Sequence, residues 1–267
     1  MTRSIILRNN YFRTPFSDDR HDTQTPGSIL TDSALVAGCG GGVGNTDTAP
    51  VAQAATYRFV RPKLAAHLVY AQKITDNLNN TVNRTMVQDV TAVNADGSFT
   101  LHVQDPSNNR IVSGTVDQSL YPTTNQYNAS GQKTSWLEIP STGAPISCAF
   151  TQGNPGAPSP LTVGQGWTVN YIETCGTGAG TAFAQTGTLA SLETITVAAG
   201  TFSAFKFTST VIRTVNGATR TETVSQWRDA ASADSTILKS ASVFSYSGTT
   251  PPAGALVSEA NELQSMQ

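Results

Sequence analysis

The sequence predicts an all-β protein: one large curved antiparallel sheet built from two sequential hairpin sets, with a two-sheet sandwich as the alternative. Three observations predict it. The first is composition. Of 267 residues, 38 are Thr, 25 Ser and 22 Gly, and only 13% are charged, against roughly 25% in an ordinary globular chain. Threonine suits the pleated, half-buried surface of a strand. The second is period-two alternation of apolar and polar residues from about Thr56 to Gly248. The third is the regular interruption of that alternation by turn residues. No helix–strand alternation of the kind that builds a parallel sheet accompanies it.

The same composition excludes other classes. Sixteen Lys+Arg against 18 Asp+Glu, a formal charge of −2, is no basis for binding nucleic acid. Low net charge argues against a disordered acidic chain. A chain of this length buries about 70% of its unfolded surface and needs no staple to fold.

Taken in order, residues 1–39 hold four Arg and four Asp where a secretory signal would be apolar. The apolar run Ala34-Leu35-Val36-Ala37 follows Asp32 directly. Leu35-Val36-Ala37-Gly38-Cys39 resembles the lipobox of bacterial lipoproteins, in which small residues precede the cysteine that receives the lipid. The resemblance implies lipidation of Cys39, a membrane attachment through that lipid, and a place in the cell envelope. Residues 1–39 then read as a defective or wrongly framed signal segment, and 40–55 as a Gly-rich flexible tether. The alternative is a glycine-rich loop with a free thiol. The glycine cluster lacks the Gly-Lys-Ser/Thr end of a phosphate loop.

Residues 56–250 read as a single antiparallel domain. In its first half, 56–139, Thr56–Val60 is a short strand that stops near Pro62; His67–Ile74 fits helix or strand, and the Thr/Asn-rich alternation it leads into and the lack of a cap favour strand. Asn77–Asn80 is a turn, Thr85–Val93 a strand, and Asn94-Ala95-Asp96-Gly97 a tight hairpin turn. Phe99, Leu101 and Val103 share one face of the returning strand; Arg110–Val116 and Thr134–Ile139 add others. Five prolines between 140 and 160 break any ladder and mark a connection between halves. The second half, 161–248, runs through Gly166–Thr174, Thr181–Ala190, Leu192–Val197, Thr201–Ile212, Thr219–Arg228 and Thr236–Tyr246. Each half opens on an aromatic-bearing strand, with Tyr70 or Trp167. Residues 251–267 read as a tail with one short helix at Leu256–Leu263.

Glu193-Thr194-Ile195-Thr196-Val197-Ala198-Ala199-Gly200-Thr201-Phe202 resembles a hairpin of uncharacterised bacterial envelope lipoproteins, Glu-x-x-x-Val-Pro-Ala-Gly-Thr-Phe, with Ala198 in place of the proline. The resemblance implies an envelope β-protein and carries no catalytic residues. Gly200 permits the turn and Phe202 returns to the core.

Cys148 and Cys175 flank the proline-rich connection, and in an exported chain they read as a disulfide. No Cys-x-x-Cys occurs, and His21, His67 and His102 lie far from the cysteines, so no metal or cofactor is expected. There is no Gly-x-Ser-x-Gly elbow and no His-Glu-x-x-His, and the chain reads as non-catalytic. Glu138 and Glu173 read as solvated surface carboxylates, not an acid–base pair. Trp136, Trp167 and Trp227 are candidates for a ligand platform, against the alternative of core packing. The expected protein is lipid-anchored in the envelope and binds a lipid or other apolar ligand on its curved sheet. The alternative is a surface adhesion or carbohydrate-binding module that takes a glycan.

Overall fold

The computed structural model describes residues 54–267 apart from 216, 232 and 233, together with the backbone of Leu7–Arg8. The expectations for the signal segment, for Cys39 and for most of the tether fall outside the described residues.

Twelve strands form the body: β1 His67–Asp76, β2 Thr81–Val93, β3 Phe99–Gln104, β4 Thr123–Tyr127, β5 Lys133–Glu138, β6 Ile146–Thr151, β7 Gly166–Cys175, β8 Thr181–Val197, β9 Gly200–Val215, β10 Ala218–Asp229, β11 Ile237–Ser247 and β12 Leu256–Met266. Each pairs antiparallel with the next, and β12 pairs with β1. The expected curved sheet therefore bends until its edges meet in a closed barrel. Closure leaves no unpaired strand edge. Turn chemistry sets the hairpins. Gly97 has φ 86° and Gly200 φ 139°, conformations that a β-carbon would strain.

Several elements differ from the sequence reading: Thr123–Tyr127 is a barrel strand absent from it, 110–116 contributes only Val112–Ser113 and the start of Val116–Asp117, both outside the barrel, the strand at Thr56 ends at Tyr57, and 181–197 is one strand rather than two. The connection 140–160 contains a barrel strand, β6, which fits between Pro145 and Pro155 without placing a proline in the ladder. Residues 256–266 are not a tail with a helix but β12, the closing strand. The reason lies in the barrel interior, which is polar along much of its length. Gln72 Nε2 donates to Glu259 Oε1 and to Asn261 Oδ1, each at 2.9 Å, and Arg84 Nε donates to Gln72 Oε1. Strand β12 thus turns Glu259 and Asn261 inward, and its sequence shows no apolar face to read.

Outside, threonine explains itself. Thr75 and Thr81, Thr196 and Thr201, and Thr214 and Thr219 are exposed cross-strand pairs with Oγ1 atoms 2.9–3.3 Å apart. Such pairs each contribute a few tenths of a kcal/mol, up to about 1.

A bulge in β8 between Leu189 and Ser191 reverses which face of the β8–β9 hairpin meets the core. Before it, Leu189 and Phe207 pack with Tyr57 and Leu161. Beyond it, Ile195, Val197, Phe202 and Ala204 join Leu68, Tyr70, Met86, Leu238 and Leu263. A two-residue ladder between Thr56–Tyr57 and Leu161–Thr162 ties the entering chain to the proline-rich loop. At the far end of β1, fully buried Asp76 accepts hydrogen bonds from Leu78 N, Asn80 N, Ser113 Oγ and Gln118 Nε2. Burial pushes this carboxyl up, but the donated hydrogen bonds outweigh it and hold its pKa below the ordinary value.

Candidate functional site in the barrel

At the end of the barrel bearing Leu68 and Tyr70, the proline-rich loop and residues 59–62 roof a cavity of about 310 Å³. That is near the lower end of the roughly 300–1,000 Å³ typical of ligand sites. Local pairing explains how its walls are placed. Tyr127 stands opposite Lys133 across β4 and β5. Its ring stacks on Phe99 at 4.8 Å, and Phe99 stacks on Phe59 at 5.9 Å. Trp167 stands opposite Gly187, and a β-carbon there would lie 2.2 Å from the indole. The glycine is therefore what lets Trp167 lie flat across its neighbour and meet Phe207 edge-on at 6.1 Å. The roof is tied down by polar contacts. Gly156 N donates to Gln185 Oε1 at 3.0 Å, and Lys133 N to the Pro155 carbonyl at 3.3 Å.

Into this aromatic space come two cations, Lys133 and Arg228, while no Asp or Glu among the described residues lines it. Burial pulls the Lys133 ammonium down to a pKa of about 8, partly opposed by the Glu173 carboxylate. Its Nζ sits 5.8 Å from the Trp136 ring. Arg228 Nε donates to Gln226 Oε1 at 2.8 Å and Nη1 to the Tyr57 hydroxyl at 3.4 Å, with the guanidinium 5.9 Å from the Phe207 ring. Neither cation forms an ion pair among the described residues. Burial raises the Tyr127 phenol to about 12, partly opposed by Arg228. The Trp167 Nε1–H is buried with no hydrogen-bond partner among the described residues.

The three tryptophans do not come together. Trp167 lines the cavity. Trp136 is buried, and its Nε1 donates to Glu173 Oε1 at 2.8 Å. Trp227 packs between Lys206 and Lys239, whose Nζ atoms lie 5.0 and 5.8 Å from its ring, and it donates to Glu193 Oε1 at 2.6 Å. Glu138 and Glu173, expected on the surface, are both buried. They project into the polar interior, where alternation places them inward. Cys148 and Cys175 face each other across β6 and β7 and form a disulfide. Glu173 lies beside the two sulfurs, but sulfurs bonded to each other offer no thiolate to a metal.

Lys133, Arg228 and the glutamines escape sequence reading because no spacing links them. The one usable signal was the aromatic residue opening each half, since Tyr70 and Trp167 both reach the cavity wall.

No family model matches the chain, and no curated protein matches it. The solved structures it resembles include three bacterial proteins. One, from Bacteroides fragilis, is provisionally described as an exported protein with a YmcC-like fold; it shares 12% identity over 79% of this chain and 100% of that one, TM-score 0.44. The hypothetical lipoprotein YmcC from Escherichia coli shares 10% over 73% and 83%, TM-score 0.38. A protein from Parabacteroides distasonis, provisionally described as a lipoprotein, shares 12% over 79% and 98%, TM-score 0.42. Likenesses this distant leave function to be read from the chain's own residues.

Proposed function

We propose that this chain is a non-catalytic envelope protein, anchored by a lipid on Cys39, that holds a small apolar-bodied ligand in the end of its barrel. The observation that carries the reading is the cavity of about 310 Å³ walled by Phe59, Phe99, Trp167 and Phe207. A barrel stabilised chiefly by its own packing would fill that space with side chains. The disulfide between β6 and β7 supports an oxidising compartment, in keeping with the lipobox-like sequence.

The test of the ligand reading is titration of the full chain with a neutral apolar fluorophore such as N-phenylnaphthylamine. Saturable one-to-one enhancement is expected, and Leu101→Trp, which fills the cavity, abolishes it while far-ultraviolet circular dichroism stays that of a β-protein. Absence of saturable binding by the wild-type chain removes the reading. The anchor has its own test. Metabolic labelling with a fatty acid, behind a working signal sequence, marks the wild type and not Cys39→Ser; an unlabelled wild type removes the anchor.

A further inference from the structure

Resting on the ligand reading above, we infer that the ligand carries an anionic head, and that Lys133 and Arg228 receive it while the aromatic wall takes its apolar body. The class is a single-chain amphiphile ending in a carboxylate.

The argument starts from cost. A charge moved into a poorly solvated, ring-lined space is expensive unless something opposite meets it. Proteins that must bury cations pair them. Here two cations line one cavity and neither has a carboxylate beside it in the wall. They reach it from two separate parts of the barrel wall, β5 and β10. Tyr127 is the cross-strand partner of Lys133 and lies close enough to Arg228 to feel its charge. Arg228 is oriented by bonds through Nε and Nη1 to Gln226 and Tyr57, both neutral groups. Those bonds orient the fork through neutral partners, and no carboxylate among the described residues lines the cavity with it. Lys133 donates no side-chain hydrogen bond among the described residues, and its depressed pKa shows that Glu173 only partly offsets its burial.

A third donor points the same way. The Trp167 Nε1–H is buried and unpartnered among the described residues, a rare state for a native polar group. Lysine, arginine and indole N–H groups share one property: they donate only. What satisfies them together is an acceptor, and an anion satisfies the charge as well. The rest of the wall is mixed, with Gln88, Gln185, Ser209 and Gln226 among the rings, and its apolar part sets the body of the ligand. Phe59, Phe99, Phe207 and Leu101 offer rings and methyls, which an alkyl chain covers and an inorganic ion or a hydroxyl-rich sugar does not.

Decanoate, decan-1-ol and decyltrimethylammonium, each below its micelle concentration, test the inference on the full chain. They share a tail and differ in the charge of the head, and Trp167 fluorescence with calorimetry reads their binding. Decanoate is expected to bind at least tenfold more tightly than the alcohol, and the cation least. Lys133→Met and Arg228→Gln each weaken decanoate about tenfold and leave the alcohol unchanged. Lys206→Met, which removes an equal charge beside Trp227, changes neither. Equal binding of decanoate and decanol overturns the anionic head and leaves the apolar-ligand reading standing. Failure of all three to bind, where the neutral fluorophore also fails, overturns both. The wild-type comparison of the three ligands decides the question even where a variant does not fold.

Discussion

Replacing Lys133 with methionine should stabilise this protein, and by an amount that depends on pH. Burial lowers the ammonium from 10.5 to about 8. At about 1.4 kcal/mol for each pH unit, that is a penalty on the order of 3 kcal/mol for holding the charge inside. The unfolded chain binds the proton more readily than the native one between those two values. Stability therefore rises with pH across that window, and below pH 8 the whole penalty is present. Methionine keeps most of the stem's volume without the charge. Urea unfolding at pH 7 should show the variant about 3 kcal/mol more stable than wild type, and at pH 10 only about 1 kcal/mol. The charged group that bears on Lys133 is Glu173, whose attraction is already included. A variant less stable than wild type at pH 7, or a difference that ignores pH, would refute the reasoning. A residue that lowers stability at a cavity wall is what a binding site in a protein near its stability threshold would show.

Three further outcomes are expected. Removing the disulfide as Cys148→Ser with Cys175→Ser, a closure of 27 residues, should lower the unfolding free energy by about 3 kcal/mol; a loss under about 1 kcal/mol in denaturant would contradict it. Asp76→Ala should cost about 2–4 kcal/mol by stranding the donors of Ser113, Asn80 and Leu78. Because the Asp76 pKa is lowered, its contribution is present above the ordinary carboxylate range and fades as pH falls through the lowered value. Asp76→Asn should therefore flatten the acid limb of stability against pH, and an unchanged limb would count against the assignment. Gly187→Ala should push the Trp167 indole off its seat and out of the cavity wall, read as a change in tryptophan emission together with loss of decanoate binding; unchanged emission would show that the ring is not held there.

Local chemistry made most of the hairpins legible. Asp96-Gly97 and Ala199-Gly200 fix their turns by φ alone, and Phe99 with Val103, or Leu189 with Phe207, mark inward faces by alternation. What stayed hidden followed from one physical fact, the polar interior. Glu138, Glu173, Glu259 and Asn261 face inward, so a rule that sends charge outward misplaces them and leaves β12 unrecognised. Closure was hidden for a different reason, since pairing of residues 67–76 with 256–266 has no local signature at all. The cavity combines both difficulties, because Lys133 and Arg228 come to line one space only after the sheet has closed.

The order of strands around the barrel is the order of the chain, with a single exception at the β12–β1 seam. His67 and Gln267 exchange backbone hydrogen bonds of 3.0 Å across it. β12 follows every other barrel strand in the chain, so each hairpin can pair as it emerges while the ring stays open until β12 is made. During that interval β1 and the newest strand are both bare edges, and the cavity has no complete wall. Joining Gln267 to His67 across the seam and opening a different hairpin would change the order in which the strands are made without changing the barrel.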